Sequence, residues 1–477
     1  SMLSAAMFLA ACDGDDGANG ANGTNGADGL NSLVAVRDIP KGDAVCLGGG
    51  TALDSGLDAN RNDVLDTGEV TSTEIIECEA TPTVRALHAS PDAPAVNIVV
   101  NGATALTGVD YSQGSGFVPV VEQNNIQVEA IIPGGNAVVI NEDVSLNYNT
   151  EASILAVGTV DTGDDGLGVF ALPIVNPSDS LITQGFFRAQ IVHASPSAPP
   201  VNVYVTGLGD DLSMASPVNG TGTPLSFEDF TGQLEVPEGD YQIRITVDGD
   251  ATLTPVFDSG EISLAAGADL MIVAIDNTGP GASAVDLIVL DGTGAAKIED
   301  VATPASAIAV HLSPDAPAVD ILADVNSTTD VDEALPLVRN VAFGEFCDLN
   351  AVPAPGDYTI SVVANADNSI VAAQFPLVVD PSTEATAVVS GFLDLAGAGL
   401  APAITALPAI DDRRSVFTET KLRITHASPS TGLVDLYLVP AGTAIDNTVT
   451  PAFEDVPFGA DTGQLSIASG IYDAVVT

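Results

Sequence analysis

The sequence predicts an all-β protein made of tandem immunoglobulin-like or transthyretin-like β-sandwich domains, with a small N-terminal disulfide-stapled module before them. One histidine-containing motif occurs four times, at intervals of roughly 110 residues, which is the usual length of one sandwich domain. Short runs of alternating apolar and polar residues flank each copy, as strands require. Glycine (46 residues) and proline (30 residues) are abundant, and tryptophan is absent. This composition favours short strands joined by turns over long helices.

The charge balance narrows the function classes. The chain has 64 acidic and 12 basic residues, and its formal net charge is −52. Such a field repels phosphate backbones, so we expect no nucleic-acid partner. Only 16% of residues are charged and 46% are hydrophobic, so the chain has enough apolar surface to fold. A length of 477 residues predicts several domains, because one hydrophobic core rarely organises so long a chain.

The first twelve residues resemble the end of a bacterial lipoprotein signal. An apolar run leads into Leu9-Ala10-Ala11-Cys12, which is similar to a lipobox. In such a signal the cysteine thiol takes the diacylglycerol that holds the mature protein to a membrane. We therefore expect Cys12 to be lipidated and the chain to be anchored in an outer or cytoplasmic membrane. An ordinary secretory signal or a buried apolar strand is the alternative.

Residues 13–30 predict a spacer. Glycine stands at every third position from Gly14 to Gly29, and proline is absent from the segment. A collagen triple helix needs this glycine period but is usually rich in proline. A flexible or extended tether is therefore favoured over a trimeric stalk.

The segment 31–80 contains a candidate calcium loop. Oxygen ligands occupy loop positions 1, 3, 5, 7, 9 and 12, the seventh through a backbone carbonyl: Asp58, Asn60, Asn62, Val64, Asp66 and Glu69. Calcium takes six to eight hard oxygen ligands, and a closing glutamate is typically bidentate. Asp63 stands where an EF-hand loop has its turn glycine, which weakens the match. The alternative is that these Asp and Asn residues only form turns.

Two cysteines flank this loop. We expect Cys46 and Cys78 to form a disulfide in an exported protein. The stretch from Leu30 to Glu79 resembles a small cysteine-flanked module that follows the tether of bacterial surface lipoproteins, through Asn31-Ser32-Leu33-Val34, Gly49-Gly50 and Gly56-Leu57-Asp58. That resemblance implies an extracellular placement and no particular activity.

The recurring motif defines four copies of one domain. In the first copy it reads His-Ala-Ser-Pro-Asp-Ala-Pro-Ala-Val-Asn over residues 88–97. A strand, a proline-stiffened corner and a second strand explain this pattern. The predicted domains are 82–180, 186–300, 305–412 and an incomplete fourth copy at 419–477. These motifs resemble the domain-of-unknown-function 4397 family, across roughly residues 82–477. The resemblance implies an exported microbial protein and no settled activity.

The motif histidines are predicted to be structural. They are His88, His193, His311 and His426. Each shares a strand face with apolar residues, so we expect a half-buried corner residue that bonds the backbone of the Ser-Pro turn. A metal site would need further ligands, and only Asn97, Asn202, Asp320 or Asp435 recurs nearby. A serine–histidine catalytic dyad lacks an acid at a recurring position.

Two features leave alternatives open. The short fourth copy indicates either a fragment of a longer chain or completion by a strand from another chain, as in donor-strand assembly. Cys347 is either a buried thiol or the site of an intermolecular bridge.

The sequence favours a non-enzymatic, cell-surface or secreted protein that acts as a stalk, adhesin or scaffold, with Ca²⁺ as its possible cofactor. No familiar catalytic motif singles out a catalytic residue. The expected partners are the membrane, other surface or matrix proteins, or copies of the chain itself. One alternative is a self-assembling subunit of an extracellular filament or matrix. A second is a carbohydrate-binding or glycan-processing protein.

Overall fold

The structure is a computed structural model that describes residues 29–161, 168–178, 180–324, 334–348, 356–393 and 402–477. The lipobox with Cys12 and most of the glycine spacer lie outside the described residues. The chain forms two compact units, Ser1–Glu79 and Ala80–Thr477. In the described ranges the backbone is almost entirely strand and turn, with one short 3₁₀ turn at Leu212–Met214. Within these ranges the chain forms no helix that is long and apolar enough to span a bilayer.

The first unit is a three-stranded antiparallel sheet. Its strands are β1 (Ser32–Ile39), β2 (Gly50–Leu57) and β3 (Val70–Cys78), in that spatial order. Its buried apolar cluster has only three members, Ile39, Cys46 and Ala52. Cys46 and Cys78 form a disulfide with a Cα–Cα distance of 5.1 Å, which confirms the predicted pairing. A module with so small a core depends on such a cross-link for its stability.

The second unit contains the four copies, here called repeats 1 to 4. Repeat 1 has β4 (Thr83–His88), β5 (Val96–Val100), β6 (Ala103–Val109), β7 (Val118–Pro119), β8 (Gln123–Ile132), β9 (Gly135–Ser145), β10 (Thr150–Val157) and β11 (Phe170–Pro177). Repeat 2 has β12 (Phe186–His193), β13 (Val201–Thr206), β14 (Leu234–Pro237), β15 (Gly239–Val247), β16 (Pro255–Leu264), β17 (Asp269–Asp276), β18 (Val285–Leu290) and β19 (Ala295–Ile298).

The later copies follow the same order. Repeat 3 has β20 (Ser306–His311), β21 (Val319–Asp324), β22 (Leu335–Val341), β23 (Phe346–Asp348), β24 (Gly356–Ala364), β25 (Asp367–Val379), β26 (Glu384–Ser390) and β27 (Thr405–Ile410). Repeat 4 has β28 (Thr420–Leu422), β29 (Val434–Pro440), β30 (Phe453–Val456), β31 (Leu465–Ile467) and β32 (Tyr472–Val476).

Each repeat is built from two sheets. The first, called the histidine sheet, contains the strand that leads to the motif histidine; the second is called the facing sheet. In repeat 1 their strand orders are β11-β10-β4-β7 and β6-β5-β8-β9. Repeat 3 has the matching orders β23-β20-β26-β27 and β22-β21-β24-β25. The all-β sandwich prediction is therefore confirmed.

One parallel pairing closes each of the first three repeats. The histidine strand pairs in parallel with a strand near the end of its own repeat, as β4 with β10, β12 with β17 and β20 with β26. Parallel neighbours need a long crossover, and here the facing sheet supplies it. The beginning and the end of each repeat are thereby held side by side.

Apolar side chains from the two sheets fill the space between them. In repeat 2, Ile191 and Ile272 of the histidine sheet meet Ile243, Ile245 and Phe257 of the facing sheet, and all five are buried. Burying each of these side chains contributes about 1.5–3 kcal/mol relative to exposure. The sandwich is thus held mainly by this interior layer.

Proline stands on the outermost strand of the histidine sheets in repeats 1 and 3. Pro173 of β11 stands opposite Ile154, and Pro408 of β27 stands opposite Ala387, at the same place in repeats 1 and 3. Proline has no N–H to donate, so an edge strand that carries it resists pairing with a further strand. In repeat 2 this place is held by Val289, and the sheet there gains the fifth strand β19.

Repeats 1 and 2 share a hydrophobic core through the backs of their histidine sheets. The cluster joins Leu87, Ala89, Tyr111, Leu155, Val157, Leu172 and Ile174 of repeat 1 to Val192, Ala194, Met271, Val273, Ile275, Ile288 and Leu290 of repeat 2. The Tyr111 hydroxyl donates to the Asp276 carbonyl oxygen at 2.6 Å, and the Arg85 guanidinium donates to the Leu290 carbonyl at 3.2 Å. Repeats 1 and 2 therefore form one folded body and are not two independently packed domains.

Removing a side chain from the shared core should weaken both repeats at once. Ile288 is fully buried in it, so Ile288→Ala should lower the free energy of unfolding by about 2–5 kcal/mol. Native-state hydrogen exchange should show lost protection in β10 of repeat 1 as well as in β18. The exposed Val175→Ala change is the matched control. Unchanged protection in β10 would show that the repeats fold independently.

Candidate functional site

The loop between β2 and β3 folds around the carboxylate of Asp58. This residue is only 1% exposed. Its Oδ1 accepts the Asn62 N–H at 3.0 Å and its Oδ2 accepts the Asp63 N–H at 2.9 Å. Arg61 and Asp63 have φ values of 60° and 59°, which lets the loop turn sharply enough to bring these N–H groups inward.

Glu69 closes the same loop from its other end. Its Oε1 accepts the N–H groups of Ala59 and Asn60 at 2.8 and 3.1 Å, and its Oε2 accepts the Asp66 N–H at 3.2 Å. These contacts tie loop positions 2 and 3 to position 12.

Asp66 joins the two asparagines at the centre of the loop. Its Oδ2 accepts from the side-chain amides of Asn60 and Asn62 at 2.7 and 3.1 Å. Asn62 Oδ1 in turn accepts the Val64 N–H at 2.8 Å. The five side chains predicted to be ligands therefore lie in one hydrogen-bonded cluster.

The donor chemistry of this cluster fits a hard cation. Three carboxylates and two amides supply only oxygen ligands, and each carboxylate oxygen keeps lone pairs beyond its present bonds. Among the described residues, no three His, Cys, Asp or Glu side chains come close enough together to hold a metal on their own. A calcium ion here would therefore also need the Asn60 and Asn62 oxygens and the Val64 carbonyl.

The four motif histidines all bond the backbone of the loop that follows them. In each copy Nε2 lies 3.0–3.2 Å from a carbonyl oxygen six residues later, on Pro94, Pro199, Pro317 or Gly432. In repeats 1, 3 and 4, Nδ1 accepts the N–H of the motif serine at 3.3 Å. Because Nδ1 of His88 and of His311 accepts, Nε2 carries the proton and these two rings are neutral.

Three of these rings are buried more deeply than half-buried. His88 is 2% exposed, and His193 and His311 are each 1% exposed, whereas His426 is half-buried. Desolvation lowers the pKa of His88 to about 4 and also lowers the pKa of His193 and His311. The buried imidazoles therefore stay neutral at physiological pH.

A turn that carries an aromatic residue covers the motif histidine in repeats 1, 3 and 4. In repeat 1 the His88 N–H donates to the Gln113 carbonyl at 3.0 Å, and its own carbonyl accepts the Ser112 N–H at 2.9 Å. The Tyr111 ring meets the imidazole edge-on at 6.2 Å. Phe343 and Phe458 do the same in repeats 3 and 4, each at 6.4 Å.

The motif aspartate bonds the chain that leaves the late parallel strand. Asp92 accepts the N–H groups of Val160 and Asp161 at 2.8 and 2.9 Å. Asp315 accepts the Leu393 N–H at 2.8 Å in repeat 3.

Repeat 2 makes the equivalent link from the opposite side. It has Ser197 at the position of the motif aspartate, and Asp276 at the end of β17 supplies the carboxylate. Asp276 accepts the Ser197 N–H at 3.4 Å and the hydroxyl of Ser195.

The last motif residue supports a bulge in the neighbouring strand. Asn97, Asp320 and Asp435 accept the backbone N–H groups of Gly108, Asn340 and Asp455 at 3.1, 2.8 and 2.9 Å. All three of these partners have positive φ values, between 51° and 63°. The side chains of the recurring motif therefore stabilise loops and strands of the fold through hydrogen bonds to the backbone.

Sequence reasoning missed Arg414. This buried residue follows repeat 3, yet its guanidinium donates to the Pro91 and Ala93 carbonyls of repeat 1 at 3.2 and 2.7 Å. It also pairs with Asp110 at 2.7 Å and lies 5.4 Å from the Tyr111 ring centre. A contact that spans 321 residues leaves no local pattern in the sequence.

Cys347 lies in the interior of repeat 3. It is half-buried among apolar side chains of the sandwich, and its thiol lies 3.6 Å from the Ala309 carbonyl oxygen. Burial raises the pKa of this thiol, which favours the protonated form.

Protonation of His88 should couple folding to pH. Its pKa is about 4 in the folded chain and about 6.5 when unfolded, so the unfolded chain binds the extra proton between these values. The stabilisation by the neutral ring is complete above about pH 6.5 and is lost as the pH falls towards 4. Denaturation of His88→Gln should show a smaller loss of stability between pH 7 and about pH 4 than the parent chain.

An exposed residue that does not titrate provides the control for this measurement. Val175→Ala removes no titratable group, so it should leave the pH dependence of the unfolding free energy as it is in the parent chain. An equal pH dependence for His88→Gln and the parent would contradict the linkage.

Comparisons with known proteins identify two family matches. The family described as Domain of unknown function (DUF4397) matches residues 82–204, 187–322 and 305–437. A second one, Domain of unknown function (DUF7151), matches residues 31–77, the disulfide-linked unit. No curated protein matches the chain.

Two solved structures show only remote likeness. A streptococcal virulence factor that binds alpha-glucan has 11% identity and a TM-score of 0.14, over 44% of this chain and 94% of that one. A multi-modular glycogen-degrading pneumococcal virulence factor, in a product complex, has 11% identity and a TM-score of 0.15, over 60% of this chain and 37% of that one. Neither similarity carries an argument about this chain.

The DUF4397 matches agree with the repeated architecture. Each begins at a histidine strand and ends within the first strand of the facing sheet in the next copy. Together they extend from residue 82 to residue 437, which is most of the chain. The chain therefore belongs to the DUF4397 family, as a multidomain protein with tandem repeats.

Proposed function

We propose that this protein is a non-enzymatic, extracellular scaffold or stalk, tethered to a bacterial membrane through Cys12 and stabilised by calcium in its first unit. The observation that carries the proposal is the core shared by repeats 1 and 2. Packing neighbouring copies against each other through buried sheet faces fixes their relative orientation, as a stalk or a scaffold requires. Independent binding modules would more often be joined by flexible linkers.

The use of the motif residues supports the same proposal. The side chains of His88, Asp92 and Asn97 all form hydrogen bonds with backbone groups of their own repeat. Side chains committed in this way build the copy, and both nitrogens of the buried His88 ring are already used within it. Repetition of this domain extends the scaffold.

The disulfide supports an extracellular placement, and the charge disfavours self-assembly. A disulfide such as Cys46–Cys78 persists mainly in oxidising compartments outside the cytoplasm.

A net charge of −52 makes copies of the chain repel one another in solution. Pro173 and Pro408 also work against strand addition at two sheet edges, so we rank a scaffold above a self-assembling filament.

The calcium part of the proposal rests on the cluster around Asp58. Asp58, Asp66 and Glu69 bring three formal negative charges to one twelve-residue loop, beside the oxygens of Asn60 and Asn62. A bound calcium ion would neutralise this repulsion and link the ends of the loop. The loop joins two strands of a unit with a very small core, so its order bears directly on the stability of that unit.

The placement is tested with two cysteine variants in the native host. Cys12→Ser should release the protein from the membrane fraction, because it removes the thiol that takes the lipid. The matched control, Cys347→Ser, should stay with the membrane and be cleaved by protease added to intact cells. Retention of Cys12→Ser in the membrane, or protection of the parent protein from the protease, would contradict the proposed anchoring.

The calcium site is tested by titration calorimetry of the full chain. We expect saturable calcium binding that is lost when Asp66→Asn and Glu69→Gln are combined, because the two changes remove two anionic ligands. Glu74→Gln, an exposed change on β3 outside the loop, should bind like the parent. Equal binding by the loop variant and the parent would place the calcium elsewhere, and no binding by the parent would contradict the proposal.

A further inference from the structure

Repeat 3 contains an apolar cavity between its two sheets. Its volume is about 100 Å³, and its walls come from both sheets of the sandwich. Ala309, Ala385 and Ala387 form the side of the histidine sheet, while Ile321, Ile360 and Phe375 lie across from them. The space that the two sheets normally fill with side chains is therefore open in this copy.

The cause is visible in the sequence once the repeats are aligned by strand register. Ala309 pairs with Ala387 in repeat 3, where repeat 2 pairs Ile191 with Ile272. Ala385 likewise stands at the place of Leu270 in repeat 2. Three large aliphatic side chains are thus replaced by methyl groups in one layer of the core.

Repeat 1 is intermediate and supports this explanation. It pairs Ala86 with Ile154 at the same place, so one of the two isoleucines is retained. The cavity that these residues line in repeat 1 has a volume of only about 20 Å³. The open volume at this layer is therefore larger in repeat 3, where both isoleucines are lost, than in repeat 1. Repeat 1 also has an apolar cavity of about 100 Å³ lined by Pro94, Val128 and Val169, which this layer does not explain.

The walls of the large cavity favour an apolar occupant over water. They are almost entirely hydrocarbon, and the hydroxyl of Thr386, a polar lining residue, donates to the Asp411 carboxylate at 2.7 Å. A buried water needs two to four polar partners, whereas apolar cavities of about 150 Å³ stay dry and take up benzene or xenon. The repeat 3 cavity approaches that size and has that chemistry.

We propose that repeat 3 is a binding site for a compact apolar molecule, up to about the size of one benzene ring, held between the two sheets. Such a ligand would restore contacts that the lost isoleucine and leucine side chains supply in repeat 2. The site is independent of the calcium loop and of the proposed scaffold role.

The test measures uptake of benzene and of xenon by the full chain, using ligand-observed NMR and xenon-129 NMR. We expect saturable binding of at least one probe to the parent protein. Ala387→Ile places in repeat 3 the side chain that repeat 2 has at this position, so it should reduce the affinity at least tenfold. The same variant should unfold at an equal or higher temperature than the parent, since it fills a void.

Two further variants keep the result interpretable. Ala309→Val fills part of the cavity from the neighbouring strand and should also weaken binding, which covers the case that Ala387→Ile does not fold. Ala296→Ile adds the same side chain on an exposed strand of repeat 2 and should leave binding unchanged. The cavities of repeats 1 and 4 can take up a probe in any variant, so the number of probe molecules bound per chain is compared as well as the affinity. Absence of saturable uptake by the parent, or filling variants that both match the parent in affinity and in the number of probe molecules bound, would overturn the proposal.

Discussion

The parallel pairing of the histidine strand with a late strand is the constraint on which each repeat depends. In repeat 1, Arg85 and Ser153 bond across this pair, although they lie 68 residues apart in the chain. The motif histidine ends the early strand, and Asp92 fastens the chain that leaves the late strand. The motif is therefore concentrated at the point where the repeat must close on itself.

Much of this architecture could be predicted from local pattern. The disulfide, the sandwich class and the tandem repetition all follow from spacing and composition. The shared core could not be predicted, because alternation identifies one buried face of a strand and β10 and β17 are buried on both. Their nearly continuous apolar sequences were the available signal. Arg414 left none, since its partners belong to a repeat at the other end of the unit.

The candidate sites show the same division between local and distant information. The loop from Asp58 to Glu69 is short, so its clustering follows from spacing alone. The depth of the histidines was underestimated, because the turn that covers His88 comes from residues 111–113. Repeat 2 has Ser197 where repeat 1 has Asp92, and Asp276 at the end of the late strand supplies the carboxylate there. The motif of repeat 2, taken alone, does not reveal this carboxylate. The carboxylate is retained, but it is supplied from the other side of the contact.

The back-to-back packing of repeats 1 and 2 has a consequence for how the chain is divided. A cut near residue 181 falls between the histidine sheets and would expose the apolar backs of both, including Leu155 and Val273. Either half expressed alone would carry an adhesive face and a tendency to associate with itself. The smallest soluble piece that preserves this part of the molecule is therefore the pair, and duplication by pairs would preserve it as well.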